Sequence, residues 1–141
     1  MIDSGEALTK DNEGYEEGLY VDSQGYVTTG YGNCLDCDLK VNSLKEWHEL
    51  KFNNAYTEAE ADYDNLKLDL DPVRKAAIVD MLYNMGSTKF SRFHDTLMGL
   101  RMKDWNATAV ALEHSLWYKQ VGRRGKRIVA MIRTGQWPNH K

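Results

Sequence analysis

Long apolar runs are missing from this chain of 141 residues. No stretch approaches the roughly 18–20 consecutive apolar residues of a transmembrane helix, so the sequence predicts no membrane span. The first residues also lack the basic segment followed by an apolar block that marks a secretory signal. We therefore expect a protein that is made and kept in a cytoplasm until another component releases it.

Cysteine is scarce, and both cysteines lie in the segment Cys34-Leu35-Asp36-Cys37. Such a CxxC segment can be a redox pair or half of a zinc site. Neither a second CxxC nor a βαβ pattern accompanies it. Free loop thiols or a local disulfide are therefore favoured over metal or redox chemistry.

Proline occurs only twice, and Asp71-Pro72 marks the start of a helix, with Asp71 as its cap. Apolar residues lie nearly all round the helix predicted from Val73 to Met85, which indicates that it is buried and ends at Gly86. Thr57 and Glu60 form a predicted capping box for a helix to about residue 70. Residues 33–54 read as irregular, with a weak helical signal near Leu44. Further helices are predicted at 6–14, 91–101, 104–114 and 122–133.

Acidic residues are rare in the second half of the chain, although the net charge is −3. Residues 1–71 hold 17 acidic and 5 basic residues, whereas residues 72–141 hold 4 and 13. Such asymmetry indicates a polyanionic partner or two lobes with separate roles. Solvated faces of opposite charge are the simpler interpretation.

Three polar residues near the N-terminus could together hydrolyse a glycosidic bond. Glu13 ends the first predicted helix, and Asp22 and Thr28 belong to a predicted hairpin with strands Leu19–Val21 and Tyr26–Thr29. This chemistry needs one acid to protonate the leaving oxygen and polar groups to hold water. Taken singly, each residue has a simpler role: an exposed helix-end acid, a turn former and a strand residue.

Several ordered motifs resemble the phage-type lysozymes of glycoside hydrolase family 24. The resemblance spans nearly the whole chain and is poorest at residues 34–56. It rests on the Glu13 segment, on the Asp22 turn followed by Thr28-Thr29-Gly30-Tyr31-Gly32, on the helix Ala76–Gly86, and on the segments Ser115–Gln120 and Arg133–Pro138.

This resemblance implies an α+β, mainly α, lysozyme-like fold with two lobes in a single domain, residues 1–141. A small antiparallel sheet would lie in an N-terminal lobe of about residues 14–56. A connecting helix of about 57–70 would lead to a helical lobe of about 71–141, and the cleft would lie between the lobes.

The implied activity is that of a phage endolysin, a muramidase that cleaves the β-1,4 bond between N-acetylmuramic acid and N-acetylglucosamine in peptidoglycan. By resemblance, Glu13 is the general acid, and Asp22 and Thr28 position a water, with inversion favoured. Arg124 falls where the family has an arginine that pairs with the catalytic Glu. The three other basic residues of this segment, Arg123, Lys126 and Arg127, are expected to form a solvated face.

Weaker candidates for substrate contacts are Tyr26, Asn84 and Trp117. No cofactor, metal, nucleic acid or membrane insertion is implied. The expected protein is a monomer that stays in the host cytoplasm before lysis and reaches the wall through a holin-type pore. Two alternatives stay open: a lytic transglycosylase, which needs no water site, and a non-catalytic protein that binds polyanions through Arg123–Arg127.

Overall fold

The computed structural model describes residues 2–13, 19–21, 23–29, 33–34 and 39–139. Helices dominate this part of the chain, which confirms the mainly helical class. The helices are α1 (Gly5–Glu13), α2 (Leu44–Asn65), α3 (Pro72–Met85), α4 (Ser87–Phe90), α5 (His94–Arg101), α6 (Trp105–Glu113), α7 (Leu116–Val121) and α8 (Arg123–Thr134). The strands are β1 (Leu19–Val21), β2 (Val27–Thr29) and β3 (Asn33–Cys34). Among the described residues, no helix is both long and apolar enough to cross a membrane.

The chain divides into two compact units, of which the smaller comprises Gly14–Thr57. In this unit β1, β2 and β3 pair antiparallel in that order, with Tyr20 opposite Thr28 and Thr28 opposite Cys34. Gly25 has φ +90°, a conformation that favours glycine, in the predicted turn before β2. A small core of Val27, Val41 and Trp47 lies in the same unit.

Helix α2 begins earlier than the sequence patterns predicted. Thr57 is an exposed residue inside this helix, so the predicted capping box at Thr57 is wrong, as is the irregular structure expected up to residue 54. The N–H of Glu46 donates to Ser43 Oγ at 3.1 Å, and Glu46 Oε2 accepts from the N–H of Asn42 at 3.0 Å. The helix therefore starts at a capping arrangement one turn before Trp47, where only a weak signal was found.

Helix α3 forms the centre of the larger unit, Met1–Glu13 with Glu58–Lys141. As predicted, Asp71 caps it, Gly86 ends it and most of its length is buried. Helices α1 and α8 pack against α3, and α8 also packs against α6 and α7. Although α1 precedes the sheet in sequence, it thus belongs to the helical unit, where Leu8 is fully buried.

The later helices follow the predicted order with shifted ends. Helix α5 begins at His94 rather than at Ser91, because Ser91 closes α4 with its N–H bonded to the Ser87 carbonyl at 2.9 Å. Helix α7 was not predicted, although its sequence signal is present. The Oγ of Ser115 accepts from the N–H of Tyr118 at 3.1 Å and so caps it.

Replacing Asp71 with alanine should lower the free energy of unfolding by about 1 kcal/mol, the usual cost of losing a helix cap. Burial alone would raise the pKa of Asp71, but hydrogen bonds from the Arg74 N–H and guanidinium outweigh it, so the pKa is lowered. Because the pKa of Asp71 is lower in the folded state than in the unfolded state, its ionised form stabilises the fold at pH values above the ordinary pKa. This contribution is lost as the pH falls through the lowered pKa. Urea unfolding should therefore show the full difference in unfolding free energy between wild type and variant at pH 7, and a smaller difference below about pH 4.

The control for this change is Asp69→Ala. Asp69 is almost fully exposed and lies 3.5 Å from Lys103 Nζ. Such exposed pairs contribute little, so this variant should unfold like the wild type. An Asp71→Ala variant that matches it at pH 7 would contradict the capping role.

Candidate active site

Glu13 is the last residue of α1, and its side chain is 38% exposed. The helix is fixed at its start by Ser4, whose Oγ accepts from the N–H of Ala7 at 3.1 Å. Leu8 and Thr9 are buried on the face that packs into the helical unit. The carboxyl group of Glu13 is thus held at the end of an anchored helix and still reaches solvent.

Arg124 contacts Glu13 across 111 positions of sequence. It lies in the first turn of α8, and its Nη1 donates to Glu13 Oε1 at 3.1 Å. The same guanidinium binds Asp80 with two further donors, Nε to Oδ2 at 2.9 Å and Nη2 to Oδ1 at 3.1 Å. One arginine therefore bridges the predicted acid and a second carboxylate.

Asp80 is the residue of this cluster that the sequence patterns missed. It lies in α3 with no exposed surface. Its carboxylate accepts from Thr9 Oγ1 at 2.7 Å and from Asn12 Nδ2 at 3.1 Å, in addition to Arg124. The available signal was an acidic residue inside the apolar run 76–82, since a buried charge is rare unless it is paired.

The charges of this cluster shift the pKa values of two groups. Burial alone would lower the pKa of Arg124, but its hydrogen bonds and attraction to Asp80, and then to Glu13, outweigh burial and raise it. Burial raises the pKa of Tyr83, and the negative charge of Glu13 adds to this effect. Arg124 is therefore charged, and Tyr83 is a neutral phenol beside Glu13 at neutral pH.

Arg127 corrects the prediction of a solvated basic face. Its side chain is only 8% exposed, and its Nη1 donates at 2.8 Å to both Asp11 Oδ2 and Asn12 Oδ1. Arg123 and Lys126 are exposed, as expected. Helix α8 thus presents two arginines to the last turn of α1: Arg124 contacts Glu13, and Arg127 contacts Asp11 and Asn12.

Thr28 lies on β2 of the smaller unit and is 1% exposed. Its hydroxyl donates to the main-chain carbonyl of Tyr26 at 3.0 Å, which leaves the lone pairs of the oxygen to accept from another group. Tyr26 lies beneath the ammonium of Lys40, 5.4 Å from its ring centroid. Asp22 and Cys37 lie outside the described residues.

Trp117 and Asn84 contact each other in the helical unit. The indole N–H of Trp117 donates to Asn84 Oδ1 at 3.1 Å, and Trp117 is 7% exposed whereas Asn84 is exposed. Both residues line a cavity of about 630 Å³ between α3, α5 and α7. The buried tryptophan fixes an exposed amide at this cavity, so Asn84 is the member of the pair with a free surface.

Comparison with known proteins identifies relatives over the whole chain. The model of the family described as phage lysozyme matches residues 10–134. Two proteins of Dictyostelium discoideum named probable T4-type lysozyme 2 and probable T4-type lysozyme 1 are 24% and 26% identical, and the matches cover 100% and 96% of each chain, respectively. The pre-baseplate central spike protein Gp5 of Enterobacteria phage T4 is 28% identical over 92% of this chain but only 27% of its own length.

Proposed function

The chain belongs to the phage lysozyme family, and we propose that it is a muramidase of bacterial peptidoglycan. The bond cleaved is the β-1,4 bond between N-acetylmuramic acid and N-acetylglucosamine. The names of the two Dictyostelium relatives, which match nearly the whole chain, support a lysozyme activity.

The observation that carries this proposal is the contact of Glu13 with Arg124. A general acid must be held in place and must reach the substrate. Glu13 meets both needs, because its carboxyl group is bonded at 3.1 Å to an arginine that is itself fixed, yet 38% of its side chain is exposed. Arg124 would also stabilise the carboxylate that forms once the proton has left.

In the proposed reaction, Glu13 gives its proton to the bridging oxygen as the bond from that oxygen to C1 of N-acetylmuramic acid breaks. A water attacks C1 from the opposite face, and its proton passes to Asp22. Thr28 supports the water, since its hydroxyl donates to a carbonyl and its oxygen can still accept a hydrogen bond. Attack by water opposite the leaving group inverts the configuration at C1.

We also propose a biological role as a phage endolysin that opens the host wall at the end of infection. It would act as a monomer and reach the wall through a holin-type pore. The family description and the phage relative support a phage context. That relative is a baseplate spike protein, so a virion-borne lysozyme is the competing role within the same chemistry.

The test is the chemistry of the products from purified cell walls. We expect turbidity to fall and the released muropeptides to end in reducing N-acetylmuramic acid, detected by mass spectrometry. Proton NMR of the first product should show the α-anomer, as inversion requires. Products with 1,6-anhydro ends would instead identify a transglycosylase, and intact walls would leave a non-catalytic polyanion-binding protein.

A further inference from the structure

We infer that Asp80 is a positioning residue. It acts through Arg124 to hold Glu13 in place, and it shares the positive charge of Arg124 with Glu13. This inference rests on the proposed function, because it gives Glu13 the part of the general acid. Asp80 is buried and would not touch the substrate, so its effect is exerted through its partners alone.

Asp80 fixes the orientation of the Arg124 guanidinium. The Asp80 carboxylate accepts hydrogen bonds from two nitrogens of Arg124, Nε and Nη2, in a bidentate contact at 2.9 and 3.1 Å. A bidentate contact fixes the plane of the guanidinium, and with it the direction of the remaining donor, Nη1. Nη1 is the atom that meets Glu13 at 3.1 Å. The position of the Asp80 carboxylate therefore determines where Arg124 can hold Glu13.

Asp80 also anchors the helix that ends in Glu13. Thr9 and Asn12 of α1 donate to the same carboxylate at 2.7 and 3.1 Å. The carboxylate of Asp80 on α3 thus holds both the helix that carries Glu13, α1, and the side chain of Arg124 from α8. With no exposed surface, Asp80 has little freedom to move within its packed surroundings.

The charge of Arg124 is shared by two carboxylates. One positive charge, on Arg124, serves both Asp80 and Glu13. Nη1 of Arg124 meets Glu13 from α8, while Asp80 on α3 binds Nε and Nη2 of the same guanidinium. Loss of the Asp80 charge would therefore change both the direction and the strength of the contact between Arg124 and Glu13.

The decisive variant is Asp80→Asn, which keeps the shape of the side chain and removes its charge. We expect kcat to fall by roughly tenfold to a hundredfold, the scale of a misplaced catalytic group, while KM is unchanged. Both kinetic constants are measured on soluble peptidoglycan fragments at the pH of highest wild-type activity.

A matched control is Asp11→Asn. Asp11 also joins α1 to α8, but through Arg127, whose Nη1 donates to Asp11 Oδ2 at 2.8 Å, rather than through the arginine that binds Glu13. Its replacement removes one negative charge from the contact between α1 and α8, as Asp80→Asn removes one from the contacts that α3 makes with these two helices. This variant should unfold more easily than the wild type, yet keep the wild-type kcat and KM. A purely structural role for Asp80 would make the two variants behave alike.

The inference is overturned if Asp80→Asn keeps the wild-type kcat while the wild type itself cleaves the substrate. An inactive wild type would instead count against the proposed function. Should Asp80→Asn not fold, Thr9→Val decides the matter, since it removes one hydrogen bond from Asp80 and retains the side-chain volume. We then expect a smaller fall in kcat at constant KM, and an unchanged kcat would reject the positioning role.

Discussion

Replacing Glu13 with glutamine is expected to lower kcat on purified peptidoglycan by about 10²–10⁴-fold, the usual contribution of a general acid. An amide has no proton to give to the leaving oxygen. The fold should be retained, because glutamine still offers an oxygen to Arg124 and the Glu13 side chain is 38% exposed. Exposed or partly exposed ion pairs contribute little to stability. Turbidity clearance and thermal unfolding, measured on the same preparation, check both parts.

The control for this variant is Glu6→Gln in the same helix. Glu6 lies in the first turn of α1 and is exposed. The Glu6→Gln variant makes the same chemical change at the other end of the helix, so the activity of this variant should equal that of the wild type. If Glu13→Gln clears cell walls as fast as Glu6→Gln does, Glu13 is not the general acid.

The helices show which sequence signals were sufficient. Helix α3 was placed correctly because Asp71-Pro72 and Gly86 mark its ends and the apolar residues between them lie nearly all round the helix. The start of α2 was predicted too far along the sequence, because Thr57 and Glu60 have the pattern of a capping box but lie inside a continuing helix. The true cap, Ser43 with Glu46, has the same pattern. Local capping signals thus locate possible helix starts, and tertiary packing selects among them.

In the candidate site, too, some features could be predicted from the sequence and others could not. The local pattern around Glu13 indicated hydrolytic chemistry, whereas its contact with Arg124 followed only from the resemblance, since no periodicity links residues 111 positions apart. Asp80 was read as part of a buried helix and Arg127 as part of a solvated face. Both carry charges that are buried only because a partner from another helix neutralises them. Such pairs are properties of packing and leave little trace in a single sequence.

The Asp80–Arg124 pair leads to the largest expected change in stability. Replacing Arg124 with methionine keeps an aliphatic side chain but leaves Asp80 charged, fully buried and without its cation. Removing one partner of a buried ion pair typically costs about 3–5 kcal/mol. Thr9 and Asn12 still donate to Asp80 but carry no charge. We expect the midpoint of urea unfolding to fall accordingly with little change in slope.

Two further variants show whether the buried charge is the cause. Arg123→Met alters the neighbouring exposed arginine of α8 and should stay within about 0.5 kcal/mol of the wild type, as surface changes usually do. The double variant Asp80→Asn with Arg124→Met removes both charges and should be more stable than Arg124→Met alone, because no carboxylate is then left unpaired. If the double variant is the less stable of the two, Arg124 stabilises the fold by packing rather than by compensating Asp80.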